Sequence, residues 1–502
     1  MAVGAMALAA AAWAVAISAL VLPRLTDNGD EAVYLLQADS LRAGHLFPPA
    51  VSPTGAFLPW LSTTAGQHYV TKYTPVFPGF IALAHRLFGQ DRAALALTAA
   101  GAVVACYLLA REILGRHRPA IVATSFFAAS PLFLIQSATY LSYLFNLALL
   151  MAFAAAFLAG LRRGPVRGRA PLAAAGLALG LALFARPFDA VLVGGPLLAW
   201  WAWAGRARFR ALVVQGKCLA LGAAAPLLAM LAYFRVATGH FFRPPFTFVG
   251  PSDTLGFGPH RMYSGMPYLD YTPRRAVVAF GRLAALTGFW SFGGLVLLGL
   301  VVAGYRALCS PARRWLALVG VTVPAGYFFF WGSYSSSEWG GPWRFGPFYW
   351  LPVLVPGAIL GSAGFLRLRR WDRVVANFAA VGMAALSLFV VGRALADHHR
   401  LSLERDRLYA APLTAAAGSE RMVVFLPPFD GPWLLQPFPL ARNSTFDGRV
   451  VWASDRGPRL DLDVVRALPG RSAFRVVPGA TRHARTRLVR LSVAGDRLVP
   501  AG

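Results

Sequence analysis

Apolar positions dominate the first 392 residues, in continuous runs separated by short polar segments. Runs of about 17 to 22 residues match the length that a helix needs to cross a hydrocarbon core of about 30 Å. The first run lacks a basic segment before it, so we interpret it as a retained helix and not as a signal peptide. The pattern predicts eleven membrane spans, near residues 5–23, 93–110, 119–138, 141–161, 171–185, 188–204, 218–236, 283–304, 315–333, 345–366 and 374–392.

The pattern changes after residue 392. Apolar runs shorten to strand length and are separated by turn residues, and an amphipathic stretch at 460–468 lies between two of them. Roughly 100 residues are enough to fold alone. We therefore predict a polytopic α-helical membrane domain over 1–392 and a small mixed α/β domain over 393–502. The short apolar runs are 422–426, 450–453, 474–477 and 488–491.

Basic residues alternate with the predicted spans. The long loop 24–92 carries five Lys or Arg in 69 residues. Cytoplasmic loops are the basic ones in membrane proteins. The alternation predicts a plasma (inner) membrane protein with a cytoplasmic N-terminus, and it places loop 24–92 and the C-terminal domain outside. The short basic loops, with three or four Lys or Arg each, are 111–118, 162–170, 205–217, 305–314 and 367–373.

The net charge of +27 does not indicate a nucleic-acid partner. Much of this charge lies in the short loops, where it sets topology and meets anionic lipid. The three cysteines lie in or beside spans or in a cytoplasmic loop, so they predict neither a disulfide framework nor a metal site.

An acidic cluster follows the first span. Asp and Glu number only 21 against 48 Lys and Arg, yet Asp27, Asp30 and Glu31 lie within five positions. Ionised groups at membrane depth are costly and line functional cavities. Residues 32–43 predict a short helix along the membrane surface, whose N-terminus favours carboxylates. Capping by Asp27 or Asn28 is the alternative. One group suffices for a cap, so we predict a catalytic or ligand-binding role for at least one carboxylate.

Lys72 lies later in the same loop and is one of only two lysines, beside 46 arginines. Lysine binds phosphate as a point charge, without the planar demand of a guanidinium. Pro75 and Pro78 prevent an ordinary helix from running through this segment. We therefore place Lys72 on a structured loop before a second surface helix at 79–87. A snorkelling interfacial lysine is the alternative.

Two further outside segments carry candidate binding residues. Segment 237–275, rich in Gly, Pro and aromatics, holds His260 and Arg261, and it has the composition of either a sugar-binding groove or a packed lid. In 333–347, Glu338 and Arg344 flank a Gly/Trp-rich turn at the top of a span. Arg344 there would reach a phosphate or a carboxylate of the first loop. An interfacial Trp/Arg belt is the alternative.

The order and side of these segments resemble the GT-C membrane glycosyltransferases. The similar groups are the protein O-mannosyltransferases, the lipid A aminoarabinose transferases, and actinobacterial arabinosyl- and mannosyltransferases. The resemblance covers the topology of residues 1–392 and is motif-specific mainly in loop 24–92. The matching segments are 29–34 (Gly-Asp-Glu-Ala-Val-Tyr), 72–75 (Lys-Tyr-Thr-Pro), 77–79 (Phe-Pro-Gly), 186–187 (Arg-Pro) and 341–347 (Gly-Pro-Trp-Arg-Phe-Gly-Pro).

The resemblance implies an inverting glycosyltransferase. Its donor would be a polyprenyl-phosphate sugar and its acceptor a cell-envelope glycan, lipid or protein. By position, Asp30 matches the general base, Glu31 its neighbour, and Asp27 the fallback. Lys72 and Arg344 match positions that would stabilise the leaving phosphate.

The same resemblance implies substrate contacts and, in some relatives, a divalent cation. Asp30 and Glu338 would be oxygen ligands of Mg²⁺ or Mn²⁺, although no residue spacing demands a metal. The further substrate-binding candidates are Tyr73, Glu338, His260 and Arg261.

The chain departs from the aminoarabinose branch at Thr71, where relatives place an acidic residue before the lysine. Either a carboxylate from another loop (Asp253, Asp270 or Glu338) takes its place, or the acceptor is held differently. If Lys72 is an exposed loop residue, Lys72→Ala should raise the donor requirement more than it harms folding.

Two other classes stay open. A lipid or glycan transporter would show inverted repeats and polar groups at mid-membrane. A non-catalytic envelope scaffold would explain the outside domain but not the acidic cluster.

Overall fold

The computed structural model describes residues 1–23, 25–262, 266–308, 312–338, 344–415, 420–427, 443–477 and 486–501. For residues 165, 337, 338 and 405–415 it describes the backbone alone. The predicted roles of the Glu338 side chain and of motif residues 341–343 therefore lie outside the described residues.

Helices make up most of the described chain. They are α1 (Ala2–Leu20), α2 (Asp30–Arg42), α3 (Val76–Phe88), α4 (Arg92–Leu114), α5 (His117–Ala128), α6 (Pro131–Gln136), α7 (Ser142–Arg167), α8 (Arg169–Ala185), α9 (Pro187–Gly205), α10 (Phe209–Thr238), α11 (Pro245–Val249), α12 (Pro273–Trp290), α13 (Gly294–Ala307), α14 (Ala312–Phe328), α15 (Gly332–Glu338), α16 (Leu354–Trp371), α17 (Arg373–Ala415) and α18 (Pro458–Ala467).

Six helical segments of the described chain are long and apolar enough to cross a membrane. A seventh is added if α12 and α13 count as one span. The predicted count of eleven is therefore not confirmed. The reasons are local: α8 has 17 residues, the run at 119–138 is divided into α5 and α6, and α9 and α10 fall within one segment. The six segments are Ala2–Leu20, Arg92–Leu114, Ser142–Gly164, Pro187–Thr238, Phe348–Trp371 and Arg373–Glu404.

The predicted span at 283–304 is broken in the middle. Helices α12 and α13 meet at an angle of 90°. Gly293 and Gly294 have φ angles of 92° and 58°, which residues with a side chain rarely adopt. Two successive glycines in this conformation end one helix and allow the next to start in a new direction.

Small residues allow the helices to pack closely. A Cβ atom added at Gly364 of α16 would lie 1.9 Å from the Leu300 carbonyl oxygen of α13, and one at Gly176 of α8 would lie 1.9 Å from the Leu219 carbonyl oxygen of α10. Close approach of this kind replaces the missing hydrophobic drive between helices in lipid. These helix pairs, α13 with α16 and α8 with α10, therefore approach each other at backbone distance.

Loop 24–92 is folded and not a simple connector. It contains α2, a hairpin of strands β1 (Ser62–Ala65) and β2 (His68–Thr71), and α3. The strands pair antiparallel from Ser62↔Thr71 to Ala65↔His68. Helices α2 and α3 correspond to the two predicted surface helices, and α3 ends at Gly89 in a left-handed conformation with φ 74°.

The C-terminal region forms the predicted mixed α/β fold. Its strands stand in the order β6-β5-β7-β8-β9, with β5 parallel to β6 and β7 and the rest antiparallel. Helix α17 is continuous through the predicted boundary at 392/393. The other strands of the chain are β3 (Gly258–His260), β4 (Leu269–Tyr271), β5 (Met422–Leu426), β6 (Val450–Ser454), β7 (Ser472–Val477), β8 (Arg487–Ala494) and β9 (Arg497–Pro500).

One face of the C-terminal sheet shares a hydrophobic core with loop 24–92. Phe57 and Tyr69 of the loop are each 1% exposed and pack in one cluster with Val423 and Phe425 of β5. The rings of Phe57 and Phe446 meet edge to face at 5.0 Å between centroids. The C-terminal domain therefore holds the hairpin that leads directly to Lys72.

Candidate functional site

The acidic cluster lies at the start of helix α2, where the side-chain amide of Asn28 contacts the first turn. The Asn28 Oδ1 atom accepts a hydrogen bond from the Asp30 backbone N–H at 3.0 Å. Asn28 thus serves the exposed backbone donors of the first turn. The Asp27 carboxylate contacts a different part of the chain, so capping does not occupy it.

Glu31 is buried and fully engaged with the protein. One oxygen accepts from the Thr26 backbone N–H at 2.7 Å and from the Thr26 hydroxyl. The other accepts from the Tyr140 backbone N–H at 2.7 Å. These contacts tie the start of α2 to the turn before α7. Both oxygens of Glu31 are therefore used in contacts with the protein.

Asp30 has a different environment from its neighbour. Burial raises the pKa of its carboxyl group, and a hydrogen bond from Tyr73, the charge of Lys72, a hydrogen bond from Trp60 and the charge of Arg186 oppose that rise. The net direction is upward. A carboxylate with a raised pKa accepts a proton more readily at neutral pH, which is what a general base requires.

Lys72 is buried and not exposed, which corrects the sequence prediction. It is 4% exposed, and its ammonium forms an ion pair with the Asp253 carboxylate, which is 2% exposed. The ammonium also lies 4.1 Å from the centre of the Phe246 ring. Of the three carboxylates considered as substitutes at Thr71, the structure brings Asp253 to Lys72.

The expectation that Lys72→Ala would hardly affect folding is therefore revised. Removing one partner of a buried pair leaves an uncompensated charge and costs about 3–5 kcal/mol.

Arg344 lies where the sequence predicted, within reach of the first loop. Its guanidinium contacts the Asp27 carboxylate at 2.5 Å. The other Asp27 oxygen is buried and has no hydrogen-bond partner among the described residues. The Nε2 atom of His398 in α17 lies 2.8 Å from the Arg344 carbonyl oxygen. The segment after α15 is thus joined to both the acidic cluster and α17.

The His260 ring contacts the backbone of its own loop. Its Nδ1 and Nε2 atoms lie 3.1 Å and 3.0 Å from the carbonyl oxygens of Ser252 and Gly256. Its ring stacks on Trp331 with 6.0 Å between centroids. These contacts give His260 a structural role, and its substrate contact stays a prediction. The Arg261 guanidinium lies 4.4 Å from the ring centre of Tyr268.

Arg186, in the matching Arg-Pro segment 186–187, also acts on the Asp30 charge. It donates to Asp189 at 2.7 Å and to Ser142 at 3.4 Å. Its guanidinium lies 3.8 Å from the ring centre of Tyr143. The Arg-Pro segment was the available signal in the sequence. Pro187 at the first helical position starts α9, and Arg186 lies directly before it.

Aromatic rings complete the surroundings of Asp30. Tyr73 stacks on Tyr34 with 4.6 Å between ring centroids, and the Tyr34 hydroxyl lies 2.8 Å from the Ser142 hydroxyl. The Gln37 amide donates to the Tyr73 carbonyl oxygen at 2.9 Å. Tyr73 therefore lies beside Asp30, and its substrate contact stays a prediction. Its burial and the adjacent Asp30 charge hold the pKa of its hydroxyl well above the usual range, so it stays a donor.

The divalent-cation expectation finds no geometric support in the described chain. No group of three or more His, Cys, Asp or Glu side chains in the described ranges stands close enough to hold an ion. Asp30 has Tyr73 and Trp60 as its hydrogen-bond partners, and the second predicted ligand, Glu338, has no described side chain.

The architecture of the chain is shared with solved structures of other proteins. A structure of ArnT from Cupriavidus metallidurans bound to undecaprenyl phosphate matches with a TM-score of 0.54 and 14% identity, covering 93% of each chain. Its apo state matches with a TM-score of 0.56 and 15% identity, covering 89% of this chain and 87% of that one.

An archaeal enzyme matches as well. The Archaeoglobus fulgidus oligosaccharyltransferase in complex with Zn and sulfate gives a TM-score of 0.51 at 13% identity, covering 94% of this chain and 68% of that one. The family model described as "Domain of unknown function (DUF7846)" matches residues 422–498, within the C-terminal domain. No curated protein matches the chain.

Proposed function

We propose that this protein is an inverting glycosyltransferase that moves a sugar from a polyprenyl-phosphate donor to a cell-envelope glycan, lipid or protein. The observation that carries the proposal is Asp30, a carboxyl group with a raised pKa between Lys72 and Arg186. The fold it shares with ArnT, which is seen with undecaprenyl phosphate, supports a lipid-linked donor.

The proposed reaction is a single displacement. The acceptor hydroxyl attacks the anomeric carbon while Asp30 takes its proton, and the bond from that carbon to the phosphate oxygen breaks. The polyprenyl phosphate leaves with the bonding electron pair. Its developing charge falls near cations that the structure already holds in place, so little reorganisation is needed at that moment.

Each candidate cation has its own carboxylate partner. Lys72 pairs with Asp253, Arg186 with Asp189 and Arg344 with Asp27. Lys72 and Arg186 both act on the Asp30 charge, so we assign the donor phosphate to this pair of cations. Arg344 lies at the Asp27 end and is the second candidate.

The proposed location is the plasma membrane, with the site outside. The basic short loops support this orientation. Nucleotide sugars are made in the cytoplasm, so a lipid-linked donor suits an outward-facing site. Fusing a reporter that works only in the cytoplasm to the N-terminus and to residue 501 tests the orientation. Activity at the C-terminal fusion would contradict it.

The direct test incubates membranes containing the full chain with a radiolabelled polyprenyl-phosphate sugar. Wild type should label a cell-envelope fraction, and Asp30→Asn should lower kcat by about 10²–10⁴, the usual contribution of a general base. Asp39→Asn, on the same helix and paired with Arg42, is the matched control. Absence of transfer by wild type would rule out the enzyme, whereas unchanged transfer by Asp30→Asn would rule out only its role.

A transporter is the second candidate function, and the same assay separates it. The described carboxylates with ion-pair partners near the site gather at one end of the helices, at α2, the start of α9 and the 250–253 turn. Transporters instead bind cargo near mid-membrane.

A further inference from the structure

The segment 245–262 is a compact loop that carries one carboxylate into the site. The Asp253 backbone N–H bonds to the Gly250 carbonyl oxygen at 2.9 Å, and the Gly250 N–H to the Phe246 carbonyl at 3.1 Å. The two contacts of His260 close the loop from the other side. Asp253 therefore sits at a fixed point and is not carried by a mobile tip.

Both oxygens of Asp253 are used. One pairs with the Lys72 ammonium, and the other accepts from the Trp331 indole N–H at 2.7 Å. Trp331 is 2% exposed and stacks on His260. The carboxylate is thus held by a buried aromatic group that belongs to a third segment, next to α15.

Lys72 has few ways to be held without Asp253. Its other close neighbour is the Phe246 ring, at 4.1 Å, and a ring face attracts an ammonium without fixing its direction. A lysine side chain has four carbons and high rotamer freedom, unlike the planar fork of an arginine. Without Asp253, the ammonium would therefore lose its fixed direction.

We propose that Asp253 is a positioning residue: it holds the Lys72 ammonium in place for the donor phosphate. The inference rests on the proposed function for the identity of the ligand. A carboxylate that orients a phosphate-binding lysine is a known arrangement in phosphoryl-transfer enzymes.

An opposite effect is physically possible, and the experiment decides between them. A negative charge beside Lys72 also repels an incoming phosphate, so a merely competing Asp253 would weaken donor binding, and its loss would tighten it. The structure favours positioning because Asp253 is locked by Trp331 and by its own loop, which makes displacement by a phosphate costly.

The experiment measures binding of undecaprenyl phosphate to the purified full chain in lipid nanodiscs, together with the kinetics of sugar transfer. The variants are Asp253→Asn, Asp253→Glu and Trp331→Phe. Asp270→Asn is the matched control, because Asp270 lies in the same outside segment on the exposed edge of β4. Thermal unfolding of each variant reports on folding separately.

The expected result is that Asp253→Asn weakens undecaprenyl phosphate binding about tenfold, the loss of one well-oriented charge-assisted contact. Asp253→Glu should recover part of the loss, Trp331→Phe should cause a smaller one, and Asp270→Asn none. If Asp253→Asn does not fold, Asp253→Glu and Trp331→Phe carry the test, with losses expected in that binding assay for both.

Unchanged or tighter binding by the folded variants would overturn the inference, as would a loss of kcat with an unaltered donor dissociation constant. If wild type binds undecaprenyl phosphate but transfers no sugar, the proposed function is overturned. In that case the binding by the variants still decides the role of Asp253. Wild type that does not bind it would overturn this inference together with the donor class.

Discussion

Loop 24–92 has two faces that differ in chemistry. The face formed by the acidic cluster, before and at the start of α2, carries polar contacts: Asp27 contacts Arg344, and Glu31 accepts hydrogen bonds from Thr26 and Tyr140. The face made by the hairpin is apolar and packs on the C-terminal sheet. Hydrophobic burial is the larger stabilising term, and buried ion pairs are weak evidence of stability. The face that packs on the C-terminal sheet, here called the domain face, therefore provides stability to the loop. The face that carries the acidic cluster, here called the site face, provides its charges.

The hairpin connects the two faces over a short distance. Tyr69 lies in the apolar core shared with the C-terminal domain, and Lys72 and Tyr73 follow on the site side. The Tyr69 hydroxyl donates to the Thr54 carbonyl at 2.7 Å, which holds the strand against the loop. A disturbance of the C-terminal core should therefore reach the donor site.

The largest expected effect comes from cutting the domain face. Phe446→Ala removes a ring packed on Phe57 and should lower the free energy of unfolding by about 3 kcal/mol. It should also weaken donor binding, because the hairpin that carries Lys72 loosens. Thermal unfolding and donor titration of the full chain measure both.

The control for this experiment lies on the opposite face of the same sheet. Phe474 packs in a separate cluster with Val424 and Trp452. Phe474→Ala should destabilise the domain without changing donor binding. Equal donor effects from both variants, or none from Phe446→Ala, would contradict a link between the two faces.

The next effect concerns the site face and is seen in the pH dependence of transfer. A general base works when deprotonated, so kcat/KM falls as pH falls through its pKa. The Lys72 charge lowers the pKa of Asp30. The double variant Lys72→Met/Asp253→Asn removes this charge without leaving a buried carboxylate unpaired, so the acid limb should move to higher pH by about half a unit or more.

Arg42→Met/Asp91→Asn is the matched double variant, because it removes a partly exposed ion pair of the same loop. Its acid limb should coincide with that of wild type. A limb of Lys72→Met/Asp253→Asn that stays in place or moves to lower pH would argue against Asp30 as the titrating base.

The smallest expected effect concerns the C-terminal domain and is seen in the pH dependence of its stability. Burial raises the pKa of Asp461, in α18, to about 7. A carboxyl group with a raised folded-state pKa favours the folded state while protonated, so its contribution is lost as pH rises from about 4 to about 7. Thermal unfolding should show a decline in stability over this window, and Asp461→Asn should flatten it. A stability that rises over the same window would contradict the assignment.

Local features of the loop could be predicted from the sequence. The helix after Asp30 and the helix before Gly89 follow from the apolar spacing and from Pro75. The acidic cluster stood out by composition alone. These predictions depend on residues near one another in the chain, where propensity and capping act.

Some long-range contacts, such as that of Arg344 with the first loop, could be predicted, but the burial of Lys72 could not. Lys72 looked exposed because its partner Asp253 lies 181 residues away, and no local pattern joins the two. The break in the predicted span at 283–304 could not be predicted either. Gly293 and Gly294 are only two small residues in an apolar run, and their left-handed conformations become visible only in the fold. The structural contacts of His260 could not be predicted, because the two carbonyl oxygens that it contacts have no sequence signature.

Helix α17 imposes a phase requirement on the whole chain. Its 43 residues span about 65 Å at 1.5 Å per residue, roughly twice the hydrocarbon core of a bilayer. Each residue inserted or deleted in it would rotate the C-terminal sheet by about 100° around the helix axis. A change of one residue would turn the sheet away from the hairpin, whereas a change of seven, about two full turns, would restore its direction. The length of this helix is therefore constrained in register, even where its individual side chains are free to vary.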